Sequence, residues 1–321
     1  MDTFNTYNAY TCLVMGLSSN LTLAWLILKG TKDEMKHYST ILLHSIVVNI
    51  VYLVVSAIVQ PYTLLENGNL LMVQTGFSQH SSRIVNALLA FLWFFIFSIK
   101  IYSLSSQFVY RYLILCRKIE VTSRLLAVIL LIPNIFCVIF IIMIILENEA
   151  FDGHDALIES LFHINATKHS FGFFVRKSSV IKFYSDTFML ATLALIYGII
   201  AWCSYKLRKT FKMASQFISR STVHELNSQI SVALVVQAIL PLGMVFIVVV
   251  YMGYAKISKA PQSSSAITLV AILFHWVPVI NPLCTLLIVK RYRKQIVSLF
   301  KCHQESPSIA VSKATTVVVK R

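Results

Sequence analysis

Residues 84–112 read IVNALLAFLWFFIFSIKIYSLSSQFVYRY, an apolar run broken only by Lys100 and, at its end, Arg111. A helix rises about 1.5 Å per residue, so roughly 20 residues cross a hydrocarbon core about 30 Å thick. This run is long enough. Six more of its kind occupy residues 10–28, 39–59, 125–146, 183–205, 230–251 and 266–289. Within all seven, Lys100 and Arg111 are the only basic residues, and Asp186 is the only acid. The expected fold class is all-α, a seven-transmembrane helix bundle over residues 1–300 with a flexible tail over residues 301–321. An odd number of crossings sends the two termini to opposite faces of the membrane.

Composition agrees. The chain is 57% hydrophobic and 13% charged, with a mean hydropathy of +0.73. Soluble domains are about 45–50% apolar and about 25% charged, so these residues cannot cover a water-soluble surface. The net charge of +15 is distributed for a membrane and not for nucleic acid. Most of the 28 basic residues fall in three alternate connections and the tail, and basic loops stay in the cytoplasm. The N-terminus is therefore expected outside and the C-terminus inside. The first eight residues carry Asp2 and no basic residue, so the first span reads as a retained anchor and not a cleaved signal. Asn165-Ala166-Thr167, a glycosylation acceptor, falls in an outer loop on this topology. The other acceptor triplet, beginning at Asn20, lies inside the first span and is expected to be unreachable.

None of the six cysteines lies in an outer loop, so no extracellular disulfide framework is expected. Cys302, past the last span and behind a basic segment, is either a palmitoylation site or a free thiol. No zinc, phosphate-loop or nucleophile-elbow motif is present. His154, His163 and His169 share a loop without metal-ligand spacing. No enzyme activity, metal or cofactor is expected.

Motifs of polar or helix-breaking residues stand out in the third, sixth and seventh spans. The third ends in Tyr110-Arg111-Tyr112, with Arg117 close behind. The sixth holds Gln237 and then Pro241, whose missing N–H makes a hinge. The seventh holds His275, Trp276, Asn281 and Pro282, and after Val289 apolar residues alternate with Lys and Arg as in a short amphipathic helix on the inner surface.

Four stretches in this order resemble the nematode serpentine chemoreceptors of the Str superfamily, nearest the delta class, within the seven-helix G-protein-coupled receptors. They are LILKGTKDEMKHYSTILLHSIVVNI (26–50), SSQFVYRYLIL (105–115), STVHELNSQISVALVVQAILP (221–241) and PVINPLCTLLIVKRYRKQI (278–296). Rhodopsin-like receptors differ in detail: they would have an acid at Tyr110, a tyrosine at Thr285, and a cysteine bridge to the third span. The resemblance implies a chemosensory, olfactory-type receptor of the plasma membrane and sensory-neuron cilium. Its partners would be a small odorant-like ligand, a heterotrimeric G protein and the lipid bilayer. A membrane transporter or ligand-gated channel is the alternative, against which stand the lack of an internal repeat and the thin polar inventory.

Within that frame the pocket is expected outward between the third, fifth, sixth and seventh spans. Trp93, Phe94, Phe97, Gln237, His275 and Trp276 would line it, with Phe95 beside them. No acid at that depth awaits an amine. Coupling falls to Tyr110, Arg111, Tyr112, Arg117, and to Lys206, Arg208, Lys209 and Arg220 of a third inner loop over 206–220. Asn49, Lys100, Pro241, Asn281 and Pro282 form an intramembrane polar switch. Lys100 precedes Arg111 by about 16 Å of helix and is expected to face inward, bonded to Asn49, Asn281 or Ser103.

Overall fold

The structure, a computed structural model, describes residues 2–30, 36–66, 69–77, 81–147, 156, 159–160, 170–175, 180–217, 222–258 and 264–304. Among these, seven helices form one bundle: α1 (Asp2–Gly30), α2 (Lys36–Val59), α3 (Arg83–Leu115), α4 (Ser123–Glu147), α5 (Val180–Phe217), α6 (Thr222–Ser258) and α7 (Ser264–Ile288). Each expected span falls within one of them, the last overshooting α7 by a single residue. An eighth helix, α8 (Lys290–Gln304), leaves the end of α7 at 87°. That bend suits an amphipathic helix, whose apolar stripe seeks a surface while α7 crosses.

Helix α3 is the hub. It packs against α2, α4 and α5, and its Ile101, Leu104 and Phe108 share a core with Cys137 of α4, Ile196 and Ile200 of α5 and Leu234 of α6. α7 closes the ring by packing on α1 and α6. Two helices run further than their apolar spans. α5 continues to Phe217 and α6 begins at Thr222, so Lys206, Arg208 and Lys209 sit on a helix and not in a loop. The cause is local: residues 180–217 contain no proline and one glycine, and Lys and Arg are good helix formers once the chain leaves the hydrocarbon.

Proline removes the N–H that would bond the carbonyl four residues earlier. Pro133 of α4 thereby frees the Ile129 carbonyl, and Ser106 of α3 donates to it at 2.7 Å. Pro282 of α7 likewise frees the Pro278 carbonyl, which accepts from Asn20 Nδ2 of α1 at 2.9 Å. In both cases a polar side chain on a neighbouring helix supplies the lost donor, so the break also joins two helices. Asn20 is fully buried here, so the acceptor triplet it begins is inaccessible, as expected.

At the end of the bundle opposite α8, the connections build a sheet where loops were expected. β1 (Pro61–Glu66), β2 (Asn69–Gln74) and β3 (Ser170–Val175) run antiparallel in the order β1-β2-β3. The pairing of Glu66 with Asn69 leaves Asn67-Gly68 between the strands, the strongest short hairpin signal a sequence carries. β3 packs along α3 and β1 against α7. The turn from α2 into β1 places Gln60 at φ 45°, held by Asn5 Nδ2 donating to its carbonyl at 3.1 Å and Thr6 Oγ1 to its Oε1 at 2.8 Å. Gly76 crosses the end of α2 so closely that a Cβ would run into the Ile58 carbonyl oxygen.

Candidate functional site

Toward the sheet end, aromatic rings from three helices converge. Trp93 and Phe97 lie one turn apart on α3 and stack with centroids 5.6 Å apart and planes 7° from parallel. His275 of α7 stacks on Trp93 at 6.3 Å, and Phe274 meets Phe97 edge-on at 5.0 Å. Tyr52 of α2 completes the box, 6.0 Å from Trp93 and 6.2 Å from Phe97. The indole N–H of Trp93 donates to Ser56 at 2.9 Å, so its ring is fixed at both ends. Tyr52 is absent from the sequence expectations, although it is the single aromatic in residues 39–59.

The other expected pocket residues divide. Phe94 touches Trp93 and Phe97 but also leans to Phe140 of α4 at 5.9 Å, and Phe95 packs against the core with α4 and α5. Trp276 departs from the expectation. It lies next to His275 in sequence and so about 100° around the helix, which turns it to α1. There its indole donates to Asn8 at 2.9 Å and it packs on Cys12 and Leu53. Gln237 also lies outside the box. Its amide donates to the Asn281 carbonyl at 2.6 Å and to Thr285 Oγ1 at 2.8 Å, tying α6 to α7.

Below the box sits Lys100, inward and buried, bordering a cavity of about 20 Å3 with Asn49, Ser103, Gln107, Pro241 and Asn281. The expected hydrogen bond to Asn49, Asn281 or Ser103 is not made by its amine. Asn49 Nδ2 donates to Asn20 instead, at 3.3 Å, and Ser103 Oγ donates to the Lys100 backbone carbonyl. The amine lies over the Tyr52 ring, 4.7 Å from its centroid, with no hydrogen-bond partner among the described residues. Helical side chains lean toward the helix N-terminus, which carries the amine back toward the aromatic box.

At the α8 end, Arg111 is 1% exposed and is the largest fully buried side chain described. Its Nη1 donates to Ser231 Oγ at 3.1 Å and its Nη2 to the Asn227 carbonyl at 3.4 Å, both on α6. It is therefore not on a surface in this conformation, as the coupling role expected of it would need. α6 has folded over it, because an arginine in an apolar wall must find acceptors inside. Lys290, at the start of α8, is paired to Glu225 of α6 at 2.6 Å, and its backbone N–H donates to Gln229. Tyr110 is buried among Ile41, Val121 and Ile129, and Tyr112 packs on Trp202 at 4.7 Å. Arg117, Arg208 and Lys209 are exposed, Lys206 is half-buried against Trp202, and Pro241 and Pro282 are buried. Arg220 and Asn165 lie outside the described residues, as does the side chain of Cys302, whose backbone belongs to α8.

The model of the family described as serpentine type 7TM GPCR chemoreceptor Srd matches residues 4–298. No curated protein matches the sequence. Among solved structures, the crystal structure of squid rhodopsin resembles this one with a TM-score of 0.64 at 11% identity. The match covers 97% of this chain and 89% of that one, a likeness of fold.

Proposed function

Since this chain belongs to the Srd family of serpentine seven-transmembrane chemoreceptors, we propose that it binds a small, largely apolar odorant-like ligand among the aromatic rings at its sheet end and activates a heterotrimeric G protein at its α8 end. The sheet end would face outward, as the distribution of basic residues favours, with Asn165 glycosylated there and Cys302 palmitoylated within. Such a protein would work in the plasma membrane, in the cilium of a sensory neuron.

The observation that carries this reading is the position of Arg111. A guanidinium sealed under α6 and held by a hydroxyl and a carbonyl is a closed form with a release built in. Swinging α6 about Pro241 would part Arg111 from Ser231 and Asn227 and open a groove for a partner helix. The ligand box supports the same mechanism, since His275 and Phe274 place α7, which Gln237 ties to α6, against the rings of α3. Asn49, Lys100, Asn281 and Pro282 lie between the two ends and would transmit the change. The test is ligand-stimulated nucleotide exchange in reconstituted membranes. Arg111→Ala should abolish exchange with surface expression and ligand binding retained. Full exchange by that variant sinks the coupling assignment.

A further inference from the structure

The cavity bordered by Lys100 has a wall of unusual sign. Ser45, Asn49, Ser103, Gln107 and Asn281 contribute polar groups and Lys100 its amine, beside seven apolar residues, and no acid is among the described residues that line it. Lys100 is 9% exposed, and its amine meets the face of Tyr52 on one side and no hydrogen-bond acceptor among the described residues. An ammonium carries three N–H donors, and a ring face engages the charge without satisfying those donors. Asn281 Oδ1 and Gln107 Oε1 are likewise buried without a described partner. Each of these amides also carries two N–H donors on the same planar group. With their nitrogens turned in, both would add N–H donors to the hydroxyls of Ser45 and Ser103.

We propose that this cavity is a binding site for a small monovalent anion, of chloride size, held by Lys100 at the junction of α2, α3, α6 and α7. Two quantities fix the class of ligand. Holding a positive charge on Lys100 in a low-dielectric interior requires a counter-charge, which a bound anion supplies and a cation does not. The volume, about 20 Å3, exceeds the roughly 10–15 Å3 that holds a water molecule, which limits the occupant to one or two heavy atoms. Such an ion would join Asn49 on α2, Lys100 on α3 and Asn281 on α7, and would favour the packed bundle over any state in which those helices separate. The proposal stands apart from the ligand and the G protein, so its failure would leave the receptor reading untouched.

The experiment is thermal unfolding of the purified receptor in lipid nanodiscs, in sodium chloride and in sodium gluconate at equal ionic strength. An ion that binds only the folded state should raise the apparent Tm by about 2–4 °C at tenfold its dissociation constant. Lys100→Gln and Lys100→Met should lose the difference between the two salts. Crystals or grids prepared in bromide should show halide density beside Lys100 in the wild-type protein, a readout that does not depend on either variant folding. The same Tm in both salts for the wild type overturns the site. So does a chloride effect that survives in Lys100→Gln, which would assign it to the basic surface.

Discussion

Arg111 of α3 and Ser231 of α6 are joined side chain to side chain at 3.1 Å, across the helix pair whose separation would open the α8 end. A hydrogen bond to a charged group contributes about 1.5–3 kcal/mol, and the Asn227 carbonyl stays as a second acceptor. Ser231→Ala should therefore weaken the closed form by about 1 kcal/mol and raise ligand-free nucleotide exchange roughly fivefold. Basal exchange equal to wild type at equal expression would show that this bond does not hold the closed state.

The pair Glu225–Lys290 lies near the same end but should behave differently. Its side chains are 44% and 59% exposed, and exposed ion pairs are worth about 0–1 kcal/mol. Glu225→Gln should leave the melting temperature within about 2 °C of wild type. A larger drop would mean that the junction of α6 and α8 is a structural clasp.

Ser106 and Pro133 form a coupled unit. Ser106→Ala leaves the Ile129 carbonyl without the donor that replaced the missing proline N–H, at a cost of about 1–3 kcal/mol. Pro133→Ala restores the helical donor, so adding it to Ser106→Ala should recover most of the loss. Thermal unfolding of the four proteins gives the coupling as a double-mutant cycle. Additive effects would refute the compensation.

Trp93 separates two contributions to the aromatic box. Trp93→Phe keeps a ring against Phe97 and His275 but drops the donor to Ser56, and ligand potency should fall about fivefold, the equivalent of roughly 1 kcal/mol. Trp93→Ala removes the ring as well and should cost tenfold or more. Unchanged potency for the alanine variant at normal surface expression would move the ligand site elsewhere.

Much of the fold is legible in the sequence because each membrane helix satisfies its own backbone. A run such as 84–112 needs no partner to be a helix, only length and the exclusion of charge. The depth of Lys100 and Arg111 within α3, the inward placement of Lys100 and the backbone donor missing at Pro241 follow from one-dimensional position alone. What is not legible depends on which face of one element meets which face of another. Strand β3 finds its partner β2 across the length of two helices, and only the Asn67-Gly68 dipeptide signals the hairpin it joins. Trp276 and His275 differ by a single step in sequence, yet one turns to α1 and the other to the aromatic box. Lys100 is buried as its sequence position requires, but Tyr52, and not an asparagine, receives its amine. Burial is set by the membrane and the helix period, which the sequence contains. The choice of contact is set by the rotation and approach of neighbouring helices, which packing of the whole bundle decides.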